Sequence, residues 1–140
     1  MILKYTILLL IHLLATGCTK NKTQQKPIDV SKIEWKFDTK KDDYLIPHTK
    51  LYLMIAEKVF LVDSGLNVTN IEKKDWETFR IPKDALIACG GWWAGGGSYF
   101  YVKKEKTNLN IYKGFADEGL SLDESYKYKS IKTILLTELE

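Results

Sequence analysis

The sequence predicts a mainly β domain, a single antiparallel sheet or small curled β-barrel with one or two short helices. Three observations carry this expectation. Residues 33–37 (Ile, Glu, Trp, Lys, Phe) alternate apolar and charged side chains, the two-residue period of a strand with one wet face. Residues 50–55 and 59–62 are rich in β-branched, aliphatic and aromatic side chains and are separated only by Ala56, Glu57 and Lys58, so they read as a hairpin of largely buried strands. Residues 99–102 and 109–112 repeat that pattern across a short polar link, Lys106, Thr107 and Asn108.

Further elements follow in chain order. Asp63, Ser64 and Gly65 are turn formers and are expected to end the strand at 59–62. Residues 77–81 read as another strand. Pro82 suits a first helical position, Asp84 lies in the first turn near the positive end of the dipole, and Gly90 can close a helix in the left-handed conformation, which predicts one to two turns over 85–89. Ser121 and Glu124 have capping-box spacing, predicting a second helical turn before Tyr126 and Tyr128. The Ile and Thr content of residues 129–136 favours a final strand. No internal repeat divides the chain.

The N-terminus has a different character. Lys4 precedes an almost wholly apolar run over residues 5–14, followed by Ala15, Thr16, Gly17 and Cys18. A spanning helix needs roughly 17 to 25 apolar residues, so this run is too short to be one and has the form of an export signal, with small residues at the cleavage site. Residues 1–18 resemble the signal and lipobox of bacterial lipoproteins. That resemblance implies a signal peptide over 1–17, diacylglycerol on the Cys18 thiol, acylation of the new amine, and a mature chain held on a membrane of the cell envelope, at its periplasmic or surface face. Ordinary secretory cleavage that leaves Cys18 unmodified is the alternative. Residues 19–27 carry three lysines and nothing apolar to bury, so residues 18–27 form a lipidated, flexible tether.

Residues 28–140 form the globular domain. They hold 17 Lys and Arg against 18 Asp and Glu, a net charge of −1, although the whole chain carries +3. A nucleic-acid footprint would need basic residues gathered on the folded part, and a lone Arg80 offers no set of phosphate forks, so nucleic-acid binding is not expected. A chain of this length buries between roughly 60% and 70% of its unfolded surface. With Cys18 acylated only Cys89 remains, so no internal disulfide is expected. Four Trp, seven Tyr and five Phe beyond the signal supply packing area in its place.

The segment 90–101 (Gly-Gly-Trp-Trp-Ala-Gly-Gly-Gly-Ser-Tyr-Phe-Tyr) is the least ordinary stretch. It places five glycines around a tryptophan pair. A phosphate loop needs Lys and then Ser or Thr after its glycines, and a dinucleotide fingerprint needs Gly-x-Gly-x-x-Gly; neither spacing occurs. Two readings remain. Trp92 and Trp93 are exposed stacking platforms for a sugar ring or peptide, together with Tyr99 and Tyr101 and with a turn at Gly95, Gly96 and Gly97 shaping access; or both tryptophans anchor the core and the glycines let the chain turn beneath them.

Catalytic constellations are thin. Asp63-Ser64-Gly65 resembles the signature of aspartic proteases, whose chemistry needs two aspartates sharing a proton, so a single copy would require a homodimer. The same three residues make an ordinary turn. Cys89 and His48, the sole imidazole after the signal, are a formal nucleophile pair, but Cys89 lies in an apolar stretch that suits a small buried side chain. One histidine excludes a histidine-rich metal site, and no cofactor or metal is expected. Asp42 with Asp43 and Asp117 with Glu118 read as solvated loop charge. The sequence thus predicts a non-enzymatic, membrane-tethered binding or interaction module of the bacterial envelope, with a glycan or protein partner. The alternatives are a small envelope hydrolase using Asp63 or Cys89, and a lysozyme-inhibitor-like protein, the latter by analogy of size and place with known envelope lipoproteins.

Overall fold

The computed structural model describes residues 29–139. The export signal, Cys18 and the tether lie outside the described residues. The mainly β expectation holds, in the form of two antiparallel sheets and not one sheet or a closed barrel. The first has strand order β1 (Ile33–Lys41), β2 (Pro47–Ile55), β3 (Lys58–Leu66). The second runs β4 (Thr69–Asn70), β5 (Ile87–Trp93), β6 (Gly96–Glu105), β7 (Asn108–Asp117), β8 (Lys129–Leu135). Sequential strands are neighbours throughout each sheet, joined where the chain is short by two-residue turns at Ala56–Glu57, Ala94–Gly95 and Lys106–Thr107.

Alternation builds the main core. On β1 and β2 the odd-numbered Ile33, Trp35, Leu51, Leu53 and Ile55 are buried, and they meet Cys89, Phe100, Val102, Leu109, Ile111 and Ile134 of the second sheet. Lysines tie the sheet margins together: Lys132 Nζ donates to the Leu61 carbonyl at 2.8 Å and Lys58 Nζ to the Glu138 carbonyl at 2.8 Å.

The far face of the second sheet carries its own small core. Trp76, Ile81, Ala85, Ala88 and Tyr101 pack there under the β4–β5 connection, with Tyr128 of the β7–β8 connection beside them. Aromatic rings link the layers. Tyr99 stacks on Phe79 at 5.0 Å and meets Tyr126 edge-on at 5.1 Å, while Tyr101 stacks on Tyr112 at 4.8 Å and meets Tyr128 edge-on at 4.8 Å. Tyr128 Oη also donates to the Phe79 carbonyl at 2.8 Å, joining the two connections directly.

Several local expectations are corrected. The helix expected over 85–89 is absent, because residues from Ile87 onward form β5 and pair with β6; Ala88 and Gly90 supply the small side chains that the tyrosines of β6 need beside them. Residues 77–80 are turns and Ile81 is irregular, so 77–81 is not a strand; Trp76 plugs inward with its Nε1 donating to the Ile71 carbonyl at 3.1 Å and Arg80 takes a positive φ of 53°. Asp63, Ser64 and Gly65 do not end β3, which continues to Leu66 past a register irregularity opposite Leu51 and Tyr52. The strand β3 is also largely half-buried or exposed, not buried. At Ser121 only half of the expected capping box forms: Glu124 accepts from the Ser121 N–H at 3.2 Å and Oγ at 2.8 Å, the Glu124 N–H bonds the Ser121 carbonyl at 3.1 Å, and the segment is a turn and not a helix.

Candidate functional site

The segment expected to be a bent glycine loop is a strand hairpin. Trp92 pairs with Gly97 and Trp93 with Gly96 across the Ala94–Gly95 turn, and the Glu118 N–H donates to the Gly95 carbonyl at 2.8 Å, fastening the tip to the end of β7. Both turn residues have positive φ, 50° at Ala94 and 88° at Gly95, which matches the tight turn that suits the right-handed twist of paired strands.

Successive residues of a strand point to opposite faces, so the two tryptophans cannot form one platform. Trp92, 38% exposed, lies on the face that carries Tyr99, Ala88 and Gly90. Trp93, 39% exposed, lies on the face turned toward the first sheet, beside Leu66, Phe115 and Asp117 around a hollow of about 290 Å³.

Glycine is required beneath Trp92. A Cβ at Gly97 would stand 2.6 Å from the Gly91 carbonyl oxygen and 3.0 Å from both Trp92 Cε3 and Tyr99 Cε2, so the indole lies across β6 where only hydrogen leaves room. Beside it opens a cleft of about 410 Å³. Its floor is Gly90, Gly91 and Tyr99; one wall is Trp92; the other is the chain from Asn67 through Asp75, with Phe79 behind. Asn67, in a left-handed conformation at φ 54°, reaches back with Nδ2 to the Trp92 carbonyl at 3.5 Å. Lys74 pairs with Glu72 at 2.8 Å on the outer lip.

The residues singled out in the sequence therefore separate. Trp92 and Tyr99 line the cleft, with Gly97 packed beneath both rings. Trp93, Gly96 and Gly97 border the opposite hollow, and Gly95 belongs to the turn. Tyr99 and Tyr101 are not exposed platforms, being 4% and 6% exposed under the outer aromatic layer, because the two long connections fold over this face of the sheet. Burial pushes each phenol up to about 12, with Tyr126 beside Tyr99 and Tyr112 beside Tyr101 adding to the shift. Asn67, Thr69, Asp75 and Phe79 were not legible as site residues, since only the crossing from the first sheet to the second brings them against Trp92.

The residues considered for catalysis have other engagements. Asp63 Oδ2 accepts from Lys113 Nζ at 2.7 Å, bridging β3 to β7, and the lysine lies 5.4 Å from the centre of the Phe100 ring. Cys89 is fully buried, and burial pushes its thiol well above the ordinary range, which keeps it protonated. The His48 ring is solvent-exposed and meets Asp42 Oδ2 at 3.1 Å. Asp42 also accepts from the Tyr44 and Ile46 N–H groups at 2.9 Å each, and chiefly the Ile46 bond holds its carboxyl below the usual range. Among the described residues no group of three or more His, Cys, Asp or Glu side chains is placed to hold a metal ion. No helix among them is long and apolar enough to cross a membrane. Compared with protein-family models, with curated proteins and with solved structures, the chain matches none.

Proposed function

We propose that this chain is a non-enzymatic binding module of the bacterial envelope, tethered to a membrane through lipid on Cys18 and engaging a glycan or protein partner at the Trp92 cleft. The observation that carries the reading is a large aromatic side chain left more than one-third exposed on a rigid glycine floor, beside polar side chains. Indole surface exposed at a fixed position is what binding hot spots are made of, because a rigid ring loses little entropy on contact.

The domain's polarity supports the same reading. The described chain enters through a 3-10 turn, Val30–Lys32, which sits against Ala56 and Glu57 of the β2–β3 turn. Leu136–Leu139 lies at that end too, bonded to Thr107 and Lys58. Trp92 and the Ala94–Gly95 turn stand at the other end of β5 and β6, next to Leu66 and Asn67. The ten residues of β6 span about 30 Å between the two ends. A lipid on Cys18 would thus join the domain, through the tether, at the end opposite Trp92.

Membrane fractionation tests the anchor. The full chain is expected in the detergent phase with label from radioactive palmitate, and Cys18→Ala in the aqueous phase without it. Equal partitioning of the two would remove the lipid anchor from the proposal.

A further inference from the structure

We infer that the Trp92 cleft takes a neutral saccharide, a glycan of hexose or N-acetylhexosamine units stacked on the indole; this rests on the binding reading above and names its ligand. Charge narrows the choice first. The lining holds one cation, Lys74, whose Nζ is already paired with Glu72 at 2.8 Å, and Asp75 adds a carboxylate. A phosphate, sulfate or carboxylate ligand would meet no free positive charge there and would face acidic groups.

Polarity narrows it further. Thr69 is exposed on β4, opposite Gly90 and so on the Trp92 face, with no hydrogen bond from its side chain, as is true of the Asp75 carboxylate, and Asn67 uses only its Nδ2. A purely apolar ligand would strand these groups. A sugar satisfies both halves of the site: its C–H face covers the indole, and its hydroxyls exchange hydrogen bonds with the Asn67 amide, the Thr69 hydroxyl and the Asp75 carboxylate. The volume of about 410 Å³ falls in the range of small-ligand sites, and the exposed rim lets a chain continue past the bound units.

An extended peptide is the rival. Peptides that bind by main-chain pairing need a free strand edge of several residues, and β4, the edge strand here, is two residues long. The edge gives a peptide little ladder to join.

The test uses the full chain in detergent on an array carrying neutral hexose and N-acetylhexosamine oligosaccharides, sulfated and sialylated glycans, and peptides. Binding is expected on neutral glycans, with affinity insensitive to salt. Trp92→Ala is expected to weaken it at least tenfold, Trp92→Phe less, and Thr69→Val about threefold. Trp93→Ala, on the opposite face, is expected to leave it unchanged. Retention of anionic glycans, or of peptides only, in a Trp92-dependent manner would overturn the saccharide assignment and leave the binding reading standing. Absence of retention on any probe, or binding indifferent to both Trp92→Ala and Thr69→Val, would overturn the assignment and remove the cleft as the binding surface.

Discussion

Gly91→Ala gives the sharpest test of how the two sheets are joined. A Cβ at Gly91 would lie 2.2 Å from the Asn67 carbonyl oxygen and 2.5 Å from both the Asn67 carbonyl carbon and the Leu66 carbonyl oxygen. Carbon and oxygen at rest need more than 3 Å, so the crossing from β3 to β4 would have to retreat by about 1 Å, and its backbone cannot rotate away as a side chain can. Overpacking of this kind costs about 1–3 kcal/mol or more. Replacing glycine with alanine in a strand returns about 0.5–1 kcal/mol through the unfolded state. A net loss of about 2 kcal/mol is expected, with Tm lower by roughly 5–12 °C for a domain of this size. Gly119→Ala, whose Cβ would meet only the flexible Asp117 carboxylate at 3.2 Å, is the matched control and should stay within about 0.5 kcal/mol of the parent. Urea unfolding followed by tyrosine and tryptophan fluorescence reads both. If Gly91→Ala unfolds at the same midpoint as Gly119→Ala, the close crossing over β5 is refuted.

Other outcomes follow from the same geometry. Ala94→Asn should stabilise the hairpin by about 0.5–1 kcal/mol in thermal melts, since Asn tolerates the positive φ that Ala94 holds at 50° beside Gly95. Tyr99 and Tyr101 should ionise near 12 in an absorbance titration at alkaline pH, not near 10 as an open phenol does. Because the folded state holds those protons more tightly than the unfolded chain, the stability they contribute is complete below pH 10 and drains away as pH rises through 12. Asp63 and Lys113, each about one-third exposed, should show a coupling of roughly 1 kcal/mol in a double-mutant cycle of Asp63→Ala and Lys113→Ala, since solvent screens the pair. A coupling of zero would mean that the bridge between β3 and β7 adds nothing to stability.

Much of the strand pattern was legible because period-two alternation is a local signal. Residues 33–37, 50–55, 99–102 and 109–112 all lie within observed strands. The misreadings occur where distant packing overrides local preference. The Ala-Leu-Ile-Ala-Cys run is a fair helix former in isolation, yet its small residues are needed under the tyrosines of β6, and pairing decides its conformation. Residues 77–81 have strand-forming side chains, but Trp76 and Ile81 serve the sheet better from a coiled connection that covers it. The glycine-rich segment reads as a turn in the sequence, and the turn itself falls at Ala94 and Gly95. What it could not convey is that Gly91 makes room for the backbone at Leu66 and Asn67, while Gly97 makes room for an indole. The cleft was half legible: Trp92 stands out in the sequence, whereas Asn67, Thr69 and Asp75 look like ordinary polar residues until the crossing between sheets sets them opposite the ring.

Acrylamide quenching of variants that keep a single tryptophan tests the central claim, that Trp92 is an open, rigid platform. Trp35 and Trp76 are buried and should be shielded, whereas Trp92 should quench several times more strongly. Its emission should be protected when a glycan from the array is added. A Trp92 as shielded as Trp76 in the free protein would contradict the account, because the cleft would then lack the exposed ring on which every step of the binding argument depends.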